Sequence, residues 1–241
     1  TVTVEPSLSG RLRGVCASPG SAFGEVVQVA SQVLAIEEAG AGVEVEQAAL
    51  DQGLEQATQA LKALQDEAAG SVQAQIFRAH QELLEDPTLL EQAQALITEG
   101  KSAAFAWRTA TEASAALFQQ LGSALLAERA ADLADVGQRV LKLILGVQDN
   151  AWNLPERAIL VAEQLTPSQT ASLDTSRIAG FVSVGGGATS HVAILARALG
   201  LPSLSAVPHR VLALENGTRV LLDVDNGELH VNPDQAQVDQ L

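Results

Sequence analysis

Two periods of hydrophobic and polar positions run along this chain. Over residues 12–30, β-branched residues and glycines surround the Ser18-Pro19-Gly20 turn, a pattern of short strands. From residue 43 to 146 the texture changes to Ala, Leu, Gln and Glu with almost no proline, which predicts helices. Breaks divide this region. A first helix over 44–69 ends at Gly70, and a second over 71–85 has Val72, Ile76, His80 and Leu83 on one side. Asp86-Pro87 supplies an N-cap and a proline at the first position of a third helix, which runs to Thr98. Residues 102–145 are too many for one globular helix, so Gly122 is the expected bend of an antiparallel pair. Short loops between such helices favour an up-and-down bundle.

Strand texture returns after Gly146. Residues 158–165 predict a buried strand, and Thr166-Pro167-Ser168-Gln169 matches a capping box with proline at the first helical position. A strand over 178–184, a helix over 189–199 and a short strand over 203–207 follow. Segments 218–224 and 228–231 then flank the hairpin signal Asn226-Gly227. Alternation of strand and helix implies a partly parallel sheet, so the helical block is inserted into an α/β domain.

The bulk numbers narrow the class. Nearly half of the 241 residues are hydrophobic, yet no apolar run approaches the span of a bilayer and no signal-peptide pattern opens the chain. A single cysteine, Cys16, cannot form an internal disulfide, which suits a reducing, cytoplasmic compartment; its strand context predicts a core position. A net charge of −15 argues against nucleic acid and anionic membranes and favours basic partners. Methionine is absent, so the expectation is a segment of a longer polypeptide, with residues 1–11 as a preceding linker.

Candidate chemistry centres on Gly185-Gly186-Gly187-Ala188-Thr189-Ser190-His191, which joins a strand to the apolar run 192–197. A helix start offers unpaired N–H groups and the positive end of the dipole, and glycines let backbone approach an anion closely. An imidazole there can carry a phosphoryl group, because its ordinary pKa near 6.5 leaves a ring nitrogen with a lone pair at neutral pH. His191 is thus a candidate phosphoacceptor. Gly186, Gly187, Thr189 and Ser190 are candidates for phosphate contacts, with ordinary helix capping as the alternative for the two hydroxyls. His209 and His230 lack ligand-like spacing, and no metal site is expected.

The run 186–197 resembles the phosphohistidine segment of phosphoenolpyruvate-using enzymes: enzyme I of the bacterial sugar phosphotransferase system, phosphoenolpyruvate synthase and pyruvate phosphate dikinase. Residues 14–24, 76–86, 128–132 and 159–168 resemble further segments of enzyme I, in order. Ala188, where arginine is common, and Val192, where a small residue is usual, depart from the pattern. The resemblance implies an α/β phosphohistidine (swivelling) domain, residues 12–32 and 148–233, with an inserted all-α subdomain, residues 33–147, that docks the phosphocarrier HPr. Residues 234–241 would begin a linker to a C-terminal domain that binds phosphoenolpyruvate and Mg²⁺; without it the chain is expected only to exchange phosphate with HPr in sugar uptake.

By the same resemblance Nε2 of His191 is the phosphorylated atom, and the Thr170 hydroxyl hydrogen-bonds the resting ring, with a helix residue facing the sheet as the alternative for Thr170. Arg129 matches a position near the docking surface, with an intrahelical pair to Asp132 as the alternative. HPr contacts are expected from Ile76, His80, Glu82, Leu83, Glu85 and Leu89, and from Leu117 and Leu121 on a later helix. Ser71, Val72 and Arg78 replace acidic residues of the family's docking face, which raises a different HPr, fused to the same polypeptide as in multiphosphoryl transfer proteins. Two alternatives stand beside this: the swivelling histidine domain of a synthase or dikinase, which the insertion disfavours, and a non-catalytic regulatory binding module.

Overall fold

The computed structural model describes residues 10–29, 34–147, 154–171, 173–186 and 190–240. The chain divides into two compact units, Gln32–Asn150, and Thr1–Ser31 with Ala151–Leu241. Each has its own hydrophobic core.

Five helices form the first unit: α1 (Val43–Glu67), α2 (Val72–Leu84), α3 (Pro87–Thr98), α4 (Ala103–Gln120) and α5 (Ala124–Leu145). Side-chain oxygens of Ser71, Asp86, Ser102 and Ser123 accept first-turn N–H groups of α2 to α5 and set where those helices begin. Gly122 lies between α4 and α5, and Gly146 ends α5 in the left-handed region at φ 68°. The core stacks Leu50, Leu61, Phe77, Leu83, Leu89, Ile97, Trp107, Leu133 and Val140. Trp107 is fully enclosed, and its indole N–H donates to the Gly137 carbonyl over 3.0 Å, so α4 and α5 are joined by a satisfied polar contact within apolar packing.

An eight-stranded sheet forms the second unit, in the order β1-β8-β7-β3-β4-β5-β6-β2. Its strands are β1 (Gly10–Arg13), β2 (Val15–Ser18), β3 (Ser21–Gln28), β4 (Ala158–Ala162), β5 (Ile178–Ser183), β6 (Ser203–Ser205), β7 (Arg219–Asp223) and β8 (Glu228–Val231). Strands β3 to β6 run parallel and the outer pairings are antiparallel. β1 and β2 occupy opposite ends of this order although only Gly14 separates them, so one bent strand curls the sheet onto itself. Gly14 fits because a Cβ there would lie 2.5 Å from the Ser205 carbonyl oxygen. The enclosed face gathers Leu12, Val26, Ile159, Val182, Leu204, Leu222 and Leu229. On the other face Leu160 and Phe181 pack with Val192 and Ala196 of α7 (His191–Leu199), while α6 (Pro167–Ala171) follows β4.

Some local expectations differ from what is found. Gly10 and Arg11 already belong to β1 rather than to a linker, because they pair with β8. Residues 235–239 form a short helix, α8 (Gln235–Asp239), started by an Asp234 and Gln237 capping box inside the segment read as linker. Cys16 is exposed rather than in the core: β2 ends the sheet order, and only its Ala17 and Ser18 turn inward. No helix among the described residues is long and apolar enough to cross a membrane.

Candidate functional site

Two strand-to-helix turns at the same end of the parallel strands build the site. Strand β4 leads to Thr166, whose N–H donates to Gln169 Oε1 over 3.0 Å while its hydroxyl accepts the Gln169 N–H over 3.2 Å. That reciprocal cap, with Pro167 at the first position, starts α6 and turns Thr170 inward until it is 3% exposed. Strand β5 leads through Gly185 and Gly186 to Ser190, the N-cap of α7. Ser190 Oγ accepts the Ala193 N–H over 3.2 Å, so this hydroxyl caps the helix.

His191 is the first residue of α7, at the positive end of the helix. Thr170 Oγ1 lies 2.9 Å from His191 Nε2 and 3.0 Å from the Pro167 carbonyl oxygen. One hydroxyl proton thus has two acceptors within reach, and the ring tautomer decides which it takes. Farther along the helix Arg197 donates to the Ala17 carbonyl over 3.0 Å and ties α7 to β2. Gly186 takes φ 84°, which only glycine adopts without strain. The candidates Gly187 and Thr189, and with them Ala188, lie outside the described residues.

The docking candidates belong to the helical unit, and they separate into two groups. His80, Leu83 and Leu89 are buried: Leu83 and Leu89 pack in the bundle core, and His80 is fully enclosed. His80 meets Asp132 Oδ1 through Nε2 at 3.1 Å and has Asp135 Oδ2 3.7 Å from Nδ1, with Phe77 edge-on at 6.1 Å. A stripe at helical spacing marks the face turned toward neighbouring helices, and these three side chains lie on it rather than on the surface. Ile76 is half-buried, while Glu82 and Glu85 are exposed, as are Leu117 and Leu121. Leu125, not anticipated from the pattern, is 73% exposed beside them in sequence and is the most exposed of the large apolar side chains among the described residues. Arg129 is exposed one turn beyond it on α5; Asp132 faces His80, so the proposed Arg129–Asp132 pair does not form. His209 is exposed, and His230 lies 3.1 Å from Glu228 Oε2.

Residues 13–129 match the family PEP-utilising enzyme, N-terminal, and residues 154–227 match PEP-utilising enzyme, mobile domain. An Enzyme I protein solved by NMR superposes with a TM-score of 0.73 and 34% identity, covering 95% of this chain and 96% of that one. The chain belongs to the enzyme I family. The N-terminal domain of Enzyme 1 – Nitrogen also superposes, with a TM-score of 0.61, 32% identity, and 95% and 97% coverage. Among full-length relatives, a multiphosphoryl transfer protein of Rhodobacter capsulatus is 41% identical over 95% of this chain. A phosphoenolpyruvate-protein phosphotransferase of Bacillus subtilis is 33% identical over 94%. The chain spans 28% of the first and 41% of the second, so it corresponds to one part of each. Across that part the enzyme I fold is retained.

Proposed function

We propose that this chain carries a phosphoryl group on His191 and exchanges it with an HPr-type phosphocarrier, as one part of a phosphoenolpyruvate–protein phosphotransferase. The observation that carries this reading is the placement of one imidazole at the N-terminus of α7 with Nε2 held by the Thr170 hydroxyl. The family supports it, since the relatives described above are a multiphosphoryl transfer protein and a phosphoenolpyruvate-protein phosphotransferase.

The chemistry asks little of the protein beyond placement. In transfer from a donor phosphohistidine, the P–Nε2 bond to His191 forms as the donor's P–N bond breaks, and the donor ring nitrogen leaves with its electron pair. If each ring keeps the proton on its other nitrogen, no proton crosses between them. His191 Nε2 must then present a lone pair. The Thr170 hydroxyl fits this need: it donates to that lone pair at rest and can rotate onto the Pro167 carbonyl when phosphorus approaches, keeping one hydrogen bond throughout. Positive helix-end potential offsets charge on the transferred group.

HPr docking is assigned to the half-buried Ile76 and the exposed Glu82, Glu85, Leu117, Leu121 and Arg129, with Leu125 added. Phosphoenolpyruvate binding, and the Mg²⁺ it would use, belong on this reading to the part of the relatives that this chain does not span. Among the described residues no group of three His, Cys, Asp or Glu side chains is placed to hold a metal ion. A cytoplasmic setting, where sugar-uptake carriers work, completes the proposal.

Intact-mass spectrometry after mixing the chain with phosphorylated HPr tests it. Wild type should gain an acid-labile phosphoryl adduct and His191→Ala should gain none. HPr binding without an adduct on wild type would instead identify a silent binding module.

A further inference from the structure

We propose that Ser183 is a positioning residue for the phosphoryl site, fixing the Gly185–Gly186 peptide so that the Gly186 N–H is a preset donor beside His191. This rests on reading His191 as the phosphoryl carrier.

Ser183 is the last residue of β5 and is 6% exposed, a buried hydroxyl at the end of an apolar strand. Such a group must find partners. It donates to the Gly185 carbonyl, two residues on, over 2.8 Å. Its oxygen also lies 3.4 Å from Ser205 Oγ on β6; with the Ser183 proton committed to Gly185, Ser205 is the donor of that pair. Backbone bonds hold the same segment to β4, from the Val184 N–H to the Ala162 carbonyl at 3.2 Å and from the Gly185 N–H to the Glu163 carbonyl at 2.8 Å. Both polar groups of Gly185 are therefore occupied.

The consequence falls on the next amide. The Gly185–Gly186 peptide is trans, so the Gly186 N–H lies antiparallel to a carbonyl turned toward the buried Ser183 and points away from that hydroxyl. Among the described residues that N–H makes no hydrogen bond. A Cβ at Gly186 would lie 3.4 Å from Ser190 Cβ and Oγ, so this backbone runs against the residue that precedes His191. An amide fixed there before phosphorus arrives needs no reorganisation to accept a phosphoryl oxygen. Without Ser183 the carbonyl is free to turn, and the N–H turns with it.

The test uses the 241-residue chain with Ser183→Ala, Ser183→Thr and Ser205→Ala, reading the rate of adduct formation from phosphorylated HPr and the Gly186 amide resonance by NMR. Ser183→Ala should slow adduct formation about tenfold, as expected when one preset donor is only partly lost, and should move the Gly186 resonance. Ser183→Thr, which keeps the hydroxyl, should restore both. Ser205→Ala should lower the melting temperature without altering either readout, which separates buried-pair stability from aim. Wild-type rates in Ser183→Ala, or equal losses in the Ala and Thr variants, overturn the proposal. A wild type that takes no phosphoryl group overturns the carrier reading; the Gly186 resonance then decides the clamp by itself, and an unmoved resonance in Ser183→Ala refutes it.

Discussion

At the scale of single residues, the decisive contact is Thr170 Oγ1 to His191 Nε2, and it yields a direct prediction. Thr170→Val keeps the shape and removes a hydroxyl with two acceptors. A net hydrogen bond is worth about 1 kcal/mol, so transfer to His191 should slow by about five- to tenfold. Rapid-quench kinetics with phosphorylated HPr checks this, and an unchanged rate would remove Thr170 from the mechanism. The histidine was legible because the family segment at 186–197 carries it, and the threonine because position 170, just past the segment at 159–168, matches a family threonine. Ser183 was not, since a serine in Phe-Val-Ser-Val looks like any strand position until its acceptor, a carbonyl two residues on, is seen. His80, Leu83 and Leu89 are buried for a physical reason: helical spacing identifies one face of a helix but not what covers it. Here neighbouring helices do.

At the scale of elements, local signals located helix ends well and long-range pairing poorly. Asp86-Pro87, Gly122 and the 166–169 cap lie where the chain turns because their interactions span two to four residues. The segment ahead of α1 shows the opposite case. Its Ala39 forms an isolated bridge with Lys101, Ser102 N–H donates to the Glu38 carbonyl over 2.9 Å, and Lys101 Nζ lies 2.6 Å from Glu38 Oε1. These partners lie more than sixty residues apart, beyond any local pattern. The hydrogen bond from Lys101, then its positive charge, hold the Glu38 carboxyl below its ordinary value of 4.5. A lowered carboxylate stabilises the fold fully above its unfolded pKa, and that contribution disappears as pH falls through the lowered folded value. Glu38→Gln should therefore melt slightly below wild type at neutral pH. The gap should close as pH drops below 4.5, and also with added salt, because the pair is exposed. Calorimetry across pH at two ionic strengths checks it; a constant gap would assign no role to the charge.

At the scale of the molecule, two units with separate cores should respond separately to damage. The helical unit depends on Trp107, which is enclosed between α4 and α5 and bonded to Gly137. The sheet unit depends on Gly14, where one strand passes from pairing β8 to pairing β6 and closes the sheet. Nothing near Gly14 in sequence reveals that duty, because the atoms it must avoid belong to Leu204, Ser205 and Val207. Gly14→Val would drive a branched side chain into a carbonyl oxygen that a bare Cβ already meets at 2.5 Å. Backbone there cannot yield as a flexible side-chain tip could, so the cost should reach about 1–3 kcal/mol or more. Trp107→Ala should cost about 3–5 kcal/mol through its cavity. Hydrogen exchange read by peptide mass spectrometry resolves the two effects. Gly14→Val should speed exchange in β1 to β8 and leave α1 to α5 protected, and Trp107→Ala should do the reverse. Joint loss of protection in both units under either substitution would mean that the two cores unfold as one, and that sheet unit and helical unit are a single cooperative structure.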